Sequence, residues 1–229
     1  MYSLLREQMT KFNALLSINV VIILCIFWFW YMTANYPAIQ HVPYEQINFK
    51  TGDVILFHAY NNINPVFIGS FWGHVGIVFK DLSGNPLIFE AAKTSQMKNC
   101  SDYNKHGIMI TDLQTRLQKY PGMIACKLLN RPVHPDIVRQ FTEFMIYAKQ
   151  NMFYEENIFH SAIQKKLGRA FTHGTNCGEL VFLSLIKLAL LPENMINSSI
   201  SHHLLYVARL EKLQDNYFHK PIEITFDPF

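Results

Sequence analysis

The stretch Asp81-Leu82-Ser83-Gly84-Asn85-Pro86 is dense in turn-forming residues and separates two apolar runs, residues 74–79 and 87–90. Gly, Asn, Asp and Ser supply the backbone angles and local hydrogen bonds of a chain reversal, so the two runs read as an antiparallel hairpin. With the turn centred near Ser83, residues whose numbers sum to about 166 face one another. His74 and Glu90 then fall within a residue or two of opposition, where Cβ atoms on one face lie about 5 Å apart. The imidazole at the mouth of one strand can reach the carboxylate of the next. A slip of one residue would place them on opposite faces.

A second segment, about a hundred residues further on, complements the first: Thr175-Asn176-Cys177-Gly178-Glu179-Leu180-Val181. Its apolar continuation predicts a helix over 177–191, stopped by Pro192. Cys177 stands at the helix start, with Asn176 or Thr175 available as cap. A helix N-terminus favours the thiolate, which is the reactive form. Buried cysteines are commonly inert, but the polar lead-in Thr172-His173-Gly174-Thr175-Asn176 sets this one apart. A thiol and a histidine from separate elements are the usual parts of nucleophilic catalysis. In that scheme Cys177 is the nucleophile, His74 the base and Glu90 the group that orients the imidazole. Backbone amides at Cys177 and Gly178 would hold an oxyanion. Gly73 and Gly76 allow close approach beside His74. His173 is a further candidate base, ranked below His74 because a base needs a fixed position.

The remaining pattern predicts an α+β domain, an antiparallel sheet packed against helices. The turn Lys50-Thr51-Gly52-Asp53 leads into a buried strand at 54–57, and further strands are expected at 107–111 and 123–129. A short helical segment is expected at 112–119. Ile137, Phe141, Phe144, Met145 and Ala148 recur at helical spacing, which predicts an amphipathic helix over 135–151. Residues 59–70 read as a loop whose tip is apolar. Phe67 and Ile68, followed by Phe71 and Trp72 just before His74, are candidates for a substrate entrance.

The amino-terminal region obeys a different constraint. Residues 14–32 contain 19 positions without a charge, enough at 1.5 Å per residue to cross a hydrocarbon core about 30 Å thick. Trp28, Trp30, Tyr31 and Tyr36 gather downstream, as at a membrane interface. The expected organisation is a tail at 1–13, a transmembrane anchor at 14–34, a linker at 35–48 and one domain at 49–229, a single-pass membrane protein in contact with lipid. A cleaved signal peptide and a buried amphipathic helix are the competing readings. Basic flanking residues lean slightly to a cytoplasmic amino terminus. The net charge of +3 contains no basic patch, so nucleic-acid partners are not expected. No Cys or His cluster has zinc spacing, and the scheme needs no metal or organic cofactor. Cys100 and Cys126 leave a disulfide-linked surface protein as a minor reading.

Gly-Asp-Val-Ile-Leu-Phe at 52–57, Gly-His-Val-Gly-Ile-Val at 73–78, Ile-Phe-Glu-Ala at 88–91 and Cys-Gly-Glu-Leu-Val at 177–181 together resemble the circularly permuted NlpC/P60 papain-like enzymes. Within them the chain is most similar to the YaeF/YiiX amidase group and related poxvirus proteins. The resemblance spans roughly residues 49–191. It implies a permuted papain-like fold with Cys177 as nucleophile, His74 as base and Glu90 as third polar residue. Related enzymes act on lipids or amides, so the implied substrate is an acyl, lipid ester or peptide-like amide. Gly178 stands where the family often has serine and Asn176 where it often has an aromatic. The alternative is a catalytically inactive membrane or virion protein that uses the same cleft for binding.

Overall fold

Backbone groups in a buried strand must find partners in neighbouring strands, and the apolar runs of this chain do so in one large sheet. The computed structural model describes residues 13, 16–26, 39–58, 71–92, 107–154, 174–192 and 217–226. Its elements are β1 (Gln40–Pro43), β2 (Val54–His58), β3 (His74–Lys80), β4 (Pro86–Ala92), β5 (Gly107–Asp112), α1 (Leu113–Gln118), β6 (Met123–Lys127), α2 (Pro135–Asn151), β7 (Phe153–Tyr154), β8 (Gly174–Thr175), α3 (Cys177–Lys187) and β9 (Ile222–Thr225). Seven strands form one sheet in the order β1-β9-β6-β2-β3-β4-β5, and β7 and β8 make a separate pair. The fold class is α+β. All pairings of the large sheet are antiparallel except β1 with β9.

The β3–β4 hairpin has the expected register, Ile77↔Phe89, Val78↔Ile88, Phe79↔Leu87 and Lys80↔Pro86. Strand alternation then sorts the core into two layers. Ile55, Phe57, Val78 and Ile88 cluster with Leu113 and Leu117 of α1. On the other face Phe89 meets the Phe141 and Phe144 rings of α2 edge-on. α2 buries Phe141, Met145 and Ala148, the stripe its spacing predicts. Phe141 and Met145 each contribute about 1.5–3 kcal/mol by leaving water.

The start of β2 is tied down by Asp53, which is fully buried. Its carboxylate accepts from Lys50 N at 2.6 Å and from Leu129 N at 2.7 Å. Burial nevertheless raises its pKa to about 6, against those two bonds and the nearby Lys50 and Lys80 charges. Gly52, just before it, has φ +101°, and a Cβ there would meet Leu129 Cδ1 at 2.6 Å; only glycine makes this turn without strain.

Several expectations need correction. Residues 40–46 belong to the domain rather than to a linker: β1 is an edge strand and Tyr44–Gln46 a 3₁₀ turn. The pairing that orders β1 is with β9, near the carboxyl end, and local composition carries no sign of it. The strand expected at 123–129 ends at Lys127, with Leu129 in an isolated bridge to Phe218. α3 ends at Lys187 because Ala189 turns left-handed at φ 55°. Ala189 N then donates to Ile186 O and Leu190 N to Leu185 O, the two bonds of a Schellman cap.

Residues 1–38 and 39–229 are separate units. Residues 16–26 are helical with exposed side chains, spanning roughly 16 Å. No helix among the described residues is long and apolar enough to cross a membrane. The rest of the expected span, 14–15 and 27–34, lies outside the described residues, as do 59–70 and 155–173.

Asp53→Ala should lower unfolding stability by about 3 kcal/mol, since it leaves two buried backbone donors without their acceptor. Urea unfolding followed by circular dichroism measures this; a loss under about 1 kcal/mol would contradict the anchoring role.

Candidate active site

The β3–β4 ladder stops at Ile77↔Phe89, while β4 continues to pair with β5 as far as Ala92↔Gly107. His74 and Glu90 therefore sit just beyond the point where β3 and β4 part. Extending the register places Gly76 opposite Glu90 and His74 one diagonal step away on the same face. A Cβ at Gly76 would lie 2.6 Å from Ile88 Cδ1 and 3.3 Å from Glu90 Cβ. Its absence lets Ile88 close over the backbone and leaves the diagonal open. Across it, His74 Nε2 lies 2.6 Å from Glu90 Oε2.

Both groups are buried, His74 at 3% exposure and Glu90 at 0%. A carboxylate only accepts, so Nε2 carries the proton and donates it. Nδ1 is buried and meets no hydrogen-bond partner among the described residues, while Cys177 is the group that couples most strongly to the ring. Burial alone would lower the His74 pKa, but the Cys177 charge and hydrogen bond, followed by those of Glu90, raise it to about 9.

Glu90 has a second partner that the sequence reading did not single out. Arg116 of α1 donates from Nε to Glu90 Oε1 at 2.6 Å and from Nη2 to Oε2 at 3.2 Å. Arg116 is 1% exposed, and its guanidinium lies over the Phe57 and Tyr120 rings, 4.7 and 5.5 Å from their centroids. Burial would raise the Glu90 pKa; Arg116 and then His74 hold it down to about 2. α1 is placed to do this because Asp112 caps it, accepting from Thr115 N at 2.7 Å, and because Leu113 and Leu117 fasten it to the sheet. Arg116 lies between those two leucines on the apolar face. That is the signal the sequence did carry, since an arginine on such a face needs a buried anion.

Cys177 is the first residue of α3, with Asn176 as cap: Asn176 Oδ1 accepts from Glu179 N at 2.9 Å. Leu180 N then closes the first helical turn on Asn176 O at 3.0 Å. The amides of Cys177 and Gly178 come before that bond and are not consumed by the helix ladder. The backbone amides of Gly178 and Val75 also favour the thiolate of Cys177. Val75 lies beyond the last β3–β4 pair, so β4 does not take up its amide; this donor was not anticipated. Burial works against the thiolate, but the His74 charge and hydrogen bond, with these two amides, bring the Cys177 pKa below the usual thiol value. Its side chain remains partly exposed.

The other predicted residues divide. Phe71 is half-buried, stacked on His58 with centroids 3.8 Å apart; its carbonyl accepts from His58 Nδ1 at 2.6 Å. Trp72 was expected at an entrance and is instead interior, at 1% exposure, edge-on to Phe71. Phe67, Ile68, His173 and Cys100 lie outside the described residues. Cys126 is buried and free, and burial pushes its thiol far up, which counts against the disulfide-linked reading.

Neither family models nor curated proteins give a match to this sequence. Among solved structures, the crystal structure of the metalloprotein yiiX from Escherichia coli O157:H7 is similar at 13% identity, covering 77% of this chain and 89% of that one, with a TM-score of 0.44. A likeness at that level carries no argument about chemistry. The site's case rests on its own geometry.

Two thiols in one protein with opposite environments make a direct comparison. Iodoacetamide at neutral pH should modify Cys177 in the native protein and leave Cys126 untouched until unfolding. His74→Ala should slow the Cys177 reaction about tenfold or more, because the thiolate loses its counter-charge. Mass spectrometry of the two peptides reads both results, and equal labelling of the two cysteines would contradict them.

Proposed function

We propose that this chain is a thiol hydrolase or acyltransferase of the permuted papain-like kind, acting on an amide or ester carbonyl. The observation that carries the proposal is the buried His74–Glu90 contact with the Cys177 thiol lowered in pKa beside it. An inert packing cysteine has no need of a neighbouring imidazole held by a carboxylate. Cys126, buried with its pKa raised, is what such a cysteine looks like here.

In the resting site a thiolate at Cys177 faces an imidazolium at His74. Sγ attacks the carbonyl carbon, and the π electrons move to oxygen. Gly178 N, relieved of the sulfur's charge, and Cys177 N are the donors at hand for that oxyanion. Collapse breaks the bond to the amine or alcohol, which takes its proton from His74 Nδ1. The thioester remains. His74, now neutral, removes a proton from water or an acceptor alcohol or amine, whose attack releases the acyl group and restores the thiolate. Glu90 accepts from Nε2 throughout and steadies the charged imidazole without taking its proton.

The proposal extends to a membrane. The uncharged run at 14–32 is of spanning length, and a tethered site beside lipid favours acyl or lipid ester substrates, with peptide-like amides as the other class. The apolar residues Phe67, Ile68 and Phe71 would then line the approach.

Cys177→Ala should lower turnover of a lipid ester or acyl amide by about a thousandfold or more with the fold intact, and unchanged turnover would overturn the mechanism. The pH dependence has a defined sign. Turnover needs protonated His74, so it should fall as pH rises through about 9. Alkylation of Cys177 needs only the thiolate and should persist there. A basic limb near the ordinary histidine value would contradict the pairing.

A further inference from the structure

We infer that Arg116 is the positioning residue of this site: its guanidinium forks the two oxygens of Glu90, fixes that carboxylate in its ionised form and so aligns His74 on Cys177. The inference rests on the thiol reading above and goes beyond it, because that reading gives Arg116 no part in the reaction.

The geometry is that of a strong, directional pair. Nε meets Oε1 at 2.6 Å and Nη2 meets Oε2 at 3.2 Å, the fork arrangement in which an arginine sets the plane of a carboxylate. Oε2 is also the atom 2.6 Å from His74 Nε2. The oxygen presented to the imidazole is thus one of the two that Arg116 holds. The guanidinium lies over Phe57 and Tyr120, and Phe57 also contacts the His74 ring at 5.3 Å between centroids. One aromatic side chain therefore backs both cations.

Charge counting explains why a cation is needed there. Arg116, Glu90, His74 and Cys177 form a line that alternates positive, negative, positive, negative when the thiolate pair is formed, with no net charge. Without Arg116 the same burial would hold two anions and one cation. A protein relieves such an imbalance by protonating a buried acid, here Glu90 or the thiolate, and either outcome breaks the resting pair. The titratable groups facing Glu90 are Arg116 from α1, His74 from β3 and Tyr120 after α1. Tyr120 stays neutral because burial raises its pKa to about 12. No other described cation faces the carboxylate within bonding distance.

A purely structural arginine would satisfy a buried carboxylate, and its loss would cost stability alone. The two roles separate in the pH profile of Cys177 alkylation, followed on the Cys177 peptide by mass spectrometry in the full chain. The variants are wild type, Arg116→Gln, Arg116→Lys, Glu90→Gln and Arg116→Gln with Glu90→Gln. Arg116→Gln should move the alkylation midpoint upward by about one pH unit or more. Arg116→Lys, which keeps the charge but loses the fork, should move it upward by less. In the Glu90→Gln background, Arg116→Gln should add no upward shift, since its effect runs through that carboxylate. A wild-type midpoint in Arg116→Gln, or an equal upward shift in both backgrounds, overturns the inference. Should Arg116→Gln not fold, a wild-type midpoint in Arg116→Lys overturns it. Failure of the thiol reading looks different, because wild-type Cys177 itself would then titrate as an ordinary thiol.

Discussion

The buried Glu90 carboxylate is the point on which the site and much of the sheet's interior depend. Taking a carboxylate out of water costs several kcal/mol, and at 0% exposure Glu90 recovers none of it from solvent. Arg116 on one side and His74 on the other supply what water would have. Each of those cations is buried too, so each needs Glu90 as much as Glu90 needs it. The exchange links side chains of α1, β3 and β4. Through it Glu90 adds to the rise in the His74 pKa, after the larger contribution of Cys177.

The sheet prepares this arrangement by stopping short. Were β3 and β4 paired to their ends, the Val75 amide would be spent on β4. Because the ladder ends at Ile77↔Phe89, that amide is left to favour the Cys177 thiolate alongside Gly178 N. The parting of two strands and the start of α3 thus provide donors to the same sulfur. Gly76 contributes by having no side chain where one would crowd Ile88 and Glu90.

The parts of this site that are local in sequence were legible there. A tight turn fixes hairpin register, so the nearness of His74 and Glu90 followed from counting outward from Ser83. The cap at Asn176 and the start of α3 at Cys177 followed from residue type. Arg116 is a different case: its helix was expected, yet nothing local says which anion an arginine on an apolar face will meet. The β1–β9 pairing joins distant segments and leaves no periodic trace in a strand of four residues, so 40–46 read as a linker. Trp72 misled because an aromatic next to a glycine and a histidine looks the same in sequence whether it faces a cleft or the core.

A nitrogen NMR titration of the His74 imidazole tests the central claim most directly, since the account makes this ring the link between the buried charges and the thiol. It predicts a ring protonated at Nε2 across the range, titrating near pH 9 and moving to lower pH in Cys177→Ala, where the thiolate that stabilises the imidazolium is gone. A ring that titrates near the ordinary histidine value of about 6.5, and does so unchanged in Cys177→Ala, would contradict the account.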